Sequence, residues 1–150
     1  MRVAYIFNFG KFVEWPAATL ERRERFTICH TGAAGTLVRG LGQLEDKVIH
    51  GKPIEVSRIT TAAAIRNCLV VVFTDSEARN PRRDWLRAAE EASALTVGDA
   101  EGFTAAGGAI GLVNVDDKVV FEINLEAARS ASLRIPAQLA KLGRVVASNR

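Results

Sequence analysis

The sequence predicts an α/β domain: a mainly parallel sheet flanked by helices on both faces, with an antiparallel hairpin, about residues 109–125, at one edge. Three observations predict it. Strand-like and helix-like segments alternate along the chain, the pattern of parallel sheets with crossover helices. Cys68 to Thr74 (CLVVVFT) is continuously apolar and β-branched, as a strand buried on both faces requires. Near the other end, Val119, Phe121, Ile123 and Leu125 alternate with Val120, Glu122 and Asn124, a period of two with one face on a core.

In chain order, Tyr5, Phe9 and Phe12 fall at i, i+4 and i+7 with Ile6 and Val13 alongside, predicting an amphipathic first helix. Pro16 ends it, because the residue before a proline avoids the helical region. Gly10 weakens it by up to about 1 kcal/mol relative to Ala. Phe26 to Gly32 reads as a strand running into a turn, and Ala33 to Leu44 as a helix with Leu37, Leu41 and Leu44 on one face. Pro53 to Ile59 alternates as a strand, and Thr61 to Arg66 reads as a short helical turn before the Cys68–Thr74 strand. Asn80-Pro81 opens the clearest helix, with proline at its first position and Trp85, Leu86, Ala89 and Ala92 on its buried face. Leu95 to Val97 is a short strand and Glu101 to Ala106 a helical turn. In the hairpin, Asp116 and Asp117 separate Ala109–Val115 from Lys118–Leu125, the length of a tight turn whose type an Asp-Asp pair leaves open. Asn124 sits where the N-cap of the next helix belongs. Pro136 opens the last helix, with Leu139, Leu142 and Val146 at i, i+3 and i+7.

The whole chain, residues 1–150, reads as one domain large enough to bury a core. An apolar share of 48% with 25% charged residues excludes a disordered chain. The net charge of +3 is spread over short clusters, Arg22-Arg23, Arg25 and Arg82-Arg83, without the dense stripe of a nucleic-acid face. No apolar run approaches the ~20 residues of a membrane span. The start mimics a signal peptide, but Lys11 and Glu14 interrupt it and no small-residue cleavage site follows.

Candidate chemistry is sparse. Gly32 to Gly42 (GAAGTLVRGLG) lies between a strand and a helix but fits neither dinucleotide nor phosphate-loop spacing, and reads as a close-packed turn. Asp75 follows the central strand, as a receiver phosphoacceptor would. The acidic partners needed to hold Mg²⁺ are missing, so Asp75 reads as a cap for the turn Ser76–Arg79. Cys29 and His30 are neighbours on a strand, so their side chains diverge and make a poor nucleophile–base pair. Two cysteines and two histidines (His30 and His50) match no zinc spacing. Cys29 and Cys68 lie in or beside two strands. If those strands are adjacent a disulfide is geometrically possible; the other reading is two buried thiols. Glu122 and Asn124, on the polar side of the hairpin strand, read as a solvated face or as an exposed binding site. A ligand at the carboxyl ends of the parallel strands, near Thr31-Gly32 and Thr74-Asp75, would make the chain a small-molecule sensor acting with a histidine kinase or transporter.

The chain resembles the YfiR family of bacterial periplasmic regulators. The segments that carry the resemblance are NFGKFVEWP (Asn8–Pro16), FTICHTG (Phe26–Gly32), GKPIEVSRI (Gly51–Ile59), NCLVVVFTDSEA (Asn67–Ala78), LTVGDAEGFTAAGGAIGLV (Leu95–Val113) and KVVFEINLEAARSASLRI (Lys118–Ile135). The resemblance implies a non-enzymatic periplasmic domain, without cofactor or metal. Such a domain binds and represses the periplasmic sensor domain of an inner-membrane diguanylate cyclase, lowering cyclic di-GMP and biofilm formation. It also implies that Cys29 and Cys68 are the family's recurrent cysteines and are bonded, that the chain is a mature domain with Met1 an added start residue, and that it forms a homodimer. A second cysteine pair found in some members is missing here. The expected contact residues for partner or ligand are Glu122, Arg129 and Arg134.

Overall fold

The computed structural model describes residues 2–146; Met1, read above as an added start residue, lies outside them. An eight-stranded sheet forms the centre. In chain order the strands are β1 (Phe26–His30), β2 (Val48–Ile49), β3 (Lys52–Arg58), β4 (Val70–Phe73), β5 (Leu95–Gly98), β6 (Ile110–Val115), β7 (Lys118–Ile123) and β8 (Arg144–Val145). Their spatial order is β2-β3-β1-β4-β5-β6-β7-β8. Strands β3, β1, β4, β5 and β6 run parallel, whereas β2 is antiparallel to β3 and β7 antiparallel to β6. The predicted mixed α/β class is therefore correct. The hairpin is one strand in from the edge, because β8 adds on beyond β7 in parallel.

Helices cover both faces. On one side α1 (Arg2–Phe12) and α3 (Thr36–Gly42) share a core with Ile28, Val70, Val72, Val97 and Phe121. On the other, α5 (Arg83–Ala92) and a 3₁₀ helix (Ala62–Asn67) close over Cys29, Val71, Phe73 and Phe103. All four residues of β4 are buried, as its unbroken apolar run requires. Gly10, unfavourable for α1 on propensity, packs tightly on the sheet: a Cβ there would stand 2.9 Å from the Ile49 methyl and 3.2 Å from the Phe26 ring. Trp15 just beyond donates from its indole nitrogen to the Leu69 carbonyl at 3.2 Å.

The hairpin turn is resolved by its backbone. Asp116 and Asp117 have φ of 50° and 63°, and Val115 pairs directly with Lys118, so this is a two-residue turn of the type I′ family. Asn124 caps α6 (Leu125–Ser130) as expected: its side-chain oxygen accepts from the Ala127 amide at 3.0 Å. Its amide also donates to the Thr104 carbonyl at 2.9 Å, and it is buried rather than on an open polar face.

Four further expectations need correction. The helix from Pro136 is short, α7 (Ala137–Ala140), because Gly143 packs against the Phe121 ring and the chain then pairs with β7; the amide of Val146 donates to Ile123. Phe12 lies on the predicted buried face of α1 yet is 48% exposed. Asp75 is not a side-chain cap: it is the first residue of α4 (Asp75–Arg79), with φ of 51°, and the Thr74 carbonyl receives the amides of Glu77 and Ala78. Residues 101–106 form successive turns with one helical bond, from the Ala106 amide to the Gly102 carbonyl, rather than a regular helical turn.

Candidate functional site

Four places carry the residues singled out by sequence. The first is the cysteine pair. Strand β1 and the segment entering β4 are neighbours, and Cys29 and Cys68 are bonded with a Cα–Cα distance of 5.9 Å. Both are buried, 2% and 0% exposed, under Ile59, Ile65 and the 3₁₀ helix. A reductant therefore reaches the sulfurs only after that cover opens.

The second is the crevice between β1 and β4. Strand β1 leads to β3 on one side and β4 to β5 on the other, so their carboxyl ends mark the point where strand order reverses, the usual ligand crevice of such sheets. Here it is bridged from within. The Thr74 amide donates to the Thr31 hydroxyl oxygen at 3.1 Å, and a Cβ on Gly32 would stand 2.5 Å from Thr74 Oγ1. His30 contacts the Gly32 carbonyl through Nδ1 at 2.8 Å. That packing accounts for the glycine at the loop's start, which reads as a phosphate loop only in outline.

The third is the polar end of the hairpin. Glu122 pairs with Arg144 on β8 at 3.3 Å and stands within 3.4 Å of the Thr104 hydroxyl, which donates to it. It lines a groove of ≈ 260 Å³ with Asp99, Glu101 and Asn114. Arg134 is at the opposite end of the sheet, paired with Glu14 at 3.3 Å beside the end of α1. Arg129 is exposed on the last turn of α6. The structure thus does not bring Glu122, Arg129 and Arg134 together. Burial raises the Asp99 carboxyl above its usual range; Arg2 opposes that rise, Asp75 adds to it, and a backbone hydrogen bond and Arg79 oppose it further. A folded carboxyl that keeps its proton to higher pH than the unfolded one binds more protons across that window. Stability then falls as pH rises from the ordinary 3.8 through the folded value, and the penalty is complete above it. Asp99→Asn is accordingly expected to raise the melting temperature at neutral pH and to change little in acid below the window. Thermal unfolding across pH checks this, and a gain confined to acid pH would refute it.

The fourth place is an apolar groove that sequence reasoning missed. Tyr5, Phe9, Phe12, Phe121, Leu139 and Leu142 line a groove of ≈ 150 Å³ between α1 and α7. Its rim is open: Phe12 is 48% and Leu142 76% exposed, with Val145 at 56% nearby in sequence. Lys11 lies over the Phe12 ring at 5.8 Å, and exposed Lys141 precedes Leu142. The floor is rigid: Tyr5 donates to the Val119 carbonyl at 3.1 Å, and the Phe9 and Phe121 rings meet edge-on at 5.0 Å. The available signal is the i, i+3 pair Leu139/Leu142 followed at once by Gly143, which cuts the helix short and leaves Leu142 with nothing to cover it.

Among the described residues, no group of three or more His, Cys, Asp or Glu side chains is placed to hold a metal ion, and no helix is long and apolar enough to cross a membrane. A family model described as YfiR/HmsC-like matches residues 1–144. No curated protein matches the chain. Two solved structures are similar in fold. A conserved domain protein from Vibrio cholerae O1 biovar El Tor superposes with a TM-score of 0.63 at 13% identity, over 95% of this chain and 59% of that one. The ABC domain of Streptococcus pneumonia, solved in complex with L-Trp, gives 0.58 at 13% identity, over 81% of this chain and 55% of that one. The chain thus spans a little over half the length of each.

Proposed function

We propose, from the premise that this chain belongs to the YfiR/HmsC-like family, that it is a periplasmic regulatory domain that binds the periplasmic sensor domain of an inner-membrane diguanylate cyclase and holds the cyclase inactive. Lower cyclic di-GMP and less biofilm follow from that restraint. The function is one of binding, with no reaction carried by the chain's own residues. The observation that carries the choice of surface is the groove between α1 and α7. Its exposed Phe12 and Leu142 sit beside a packed aromatic floor, the anatomy of a protein-binding hot spot. The basic rim of Lys11 and Lys141 fits a partner face with an apolar centre and acidic edges. A buried disulfide suits the oxidising periplasm.

Glu122 and Arg134 hold the chain's own β8 and α1 connection, and Arg129 is the cation of the three that makes no ion pair with a carboxylate among the described residues. Release of the partner requires a state of this domain that binds it more weakly. The alternative, a sensor with its ligand between β1 and β4, has that crevice bridged by Thr31 and Thr74.

The test is direct binding of the purified chain to the periplasmic domain of a cyclase from the same genome. Phe12→Asp with Leu142→Asp is expected to weaken binding by at least about a hundredfold, since two central apolar anchors are lost at roughly 2 kcal/mol or more each. The same pair in cells is expected to raise cyclic di-GMP. No binding by the unaltered chain would overturn the proposal, and full binding by the double variant would move the contact elsewhere. A homodimer through the same groove is the competing occupant; light scattering of the chain alone, with and without the two substitutions, separates the cases.

A further inference from the structure

The basic pair Arg22-Arg23 lies outside both the hairpin groove and the α1–α7 groove. Arg22 and Arg23 follow α2 (Ala17–Glu21), and Arg66 belongs to the 3₁₀ helix, 43 residues along from Arg23. The fold brings all three to one groove of ≈ 450 Å³, where Thr19, Asn67, Glu91 and Ser93 complete the lining. Arg23 donates to the Arg66 carbonyl, which ties the two segments together, and Arg22 donates to the Ala18 carbonyl at 3.2 Å. None of the three guanidinium groups makes an ion pair with a carboxylate among the described residues; the ion pairs found there involve Arg25, Arg134 and Arg144. Three like charges are thus gathered with no carboxylate in ion-pair contact among the described residues. Burial lowers the Arg23 pKa from its ordinary value and the neighbouring Arg22 lowers it further, so a bound anion would relieve the crowding.

We propose that this groove is a binding site for a phosphoryl oxyanion. Guanidinium groups that two segments bring to one groove suit the several oxygens of a phosphoryl group, and Asn67 and Ser93 in the lining carry further donor groups. Glu91, on the far wall at the end of α5, is the one carboxylate in the lining. It reduces the positive field without cancelling it and offers an acceptor for a hydroxyl or amine borne by the same ligand. The site is separate from the α1–α7 groove, so its test does not depend on the partner.

The phosphoryl group can come from a small soluble ester or from a lipid headgroup, and two arms of one experiment distinguish them. Calorimetry at low ionic strength uses inorganic phosphate and pyrophosphate as probes; co-sedimentation uses vesicles of phosphatidylglycerol in phosphatidylcholine. Arg22→Gln and Arg66→Gln, both at exposed positions, are each expected to weaken binding roughly tenfold, whereas Arg39→Gln on α3 is expected to leave it unchanged. Binding of the soluble probes assigns a small phosphorylated ligand, and binding of the vesicles alone assigns the headgroup. No binding in either arm, or binding that the Arg22 and Arg66 variants retain in full, would overturn the proposal.

Discussion

Replacing Cys29 and Cys68 together by Ala is expected to lower the unfolding free energy by about 4 kcal/mol, the loop-entropy value for a closed loop of this length. The bond spans a sequence separation of 39 and ties β1 to the segment entering β4, two neighbouring parallel strands. Without it, the unfolded chain regains the freedom of that loop, and the packed sulfurs leave space under Ile65. The loss is a large share of a typical domain's stability of 5–15 kcal/mol. Denaturant unfolding of the double variant checks it; a loss below about 1 kcal/mol would show that the bond does not act as a staple. Because both sulfurs are buried, the native protein is also expected to resist mild reductant and to lose the bond only once unfolding begins. Rapid reduction of the folded chain would instead make Cys29–Cys68 a switch that opens locally, and a candidate for the release step of the proposed regulator.

The second large effect is expected at Phe103. This ring is fully buried and lies over the backbones of Gly98 and Gly108; a Cβ on Gly108 would fall 2.0 Å from the ring, and one on Gly98 2.4 Å. Phe103→Ala is expected to cost about 3–5 kcal/mol, the range for emptying a buried aromatic site. Gly108→Ala is expected to cost about 1–3 kcal/mol by overpacking, since backbone on one side and ring on the other leave little room. The two should not add. Phe103→Leu with Gly108→Ala frees the space that the added methyl needs, so the pair should be less damaging than the sum of its single changes. Chemical unfolding of Phe103→Leu, Gly108→Ala and the double variant checks this, and strict additivity would show that ring and glycine do not meet. The same loop is pinned again where Thr104 accepts from the Asn124 amide, so loosening Phe103 should also expose the start of α6 to hydrogen exchange.

Phe103 illustrates what sequence makes visible and what it hides. Gly108 stands out in the chain just before β6, but its reason is the Phe103 ring, which only the folded loop lays across it. Gly10 is similar: propensity marks it as a flaw in α1, whereas close approach to Ile49 and Phe26 makes it the residue that fits. Phe12 shows the opposite failure. Its i, i+3 position relative to Phe9 marks the buried face correctly, but a face is buried only as far as something covers it, and α7 stops at Ala140. The arginine groove was legible as composition alone, because Arg22-Arg23 and Arg66 meet only when α2 and the 3₁₀ helix pack beside the end of α5.

By itself the sequence determined the local periodic elements: the buried strand β4, the alternating β7, the tight turn at Asp116-Asp117, the Asn124 cap and the resulting mixed α/β class. These depend on spacings of two to four residues and on backbone preferences that act within one turn or strand. Tertiary structure decided everything that depends on which surfaces meet. It placed β8 outside the hairpin, bridged the β1–β4 crevice, buried the disulfide, separated Glu122 from Arg134 and left Phe12 and Leu142 uncovered. The physical reason is that burial and close approach are properties of pairs of elements distant in the chain, and no periodicity within one element specifies its partner.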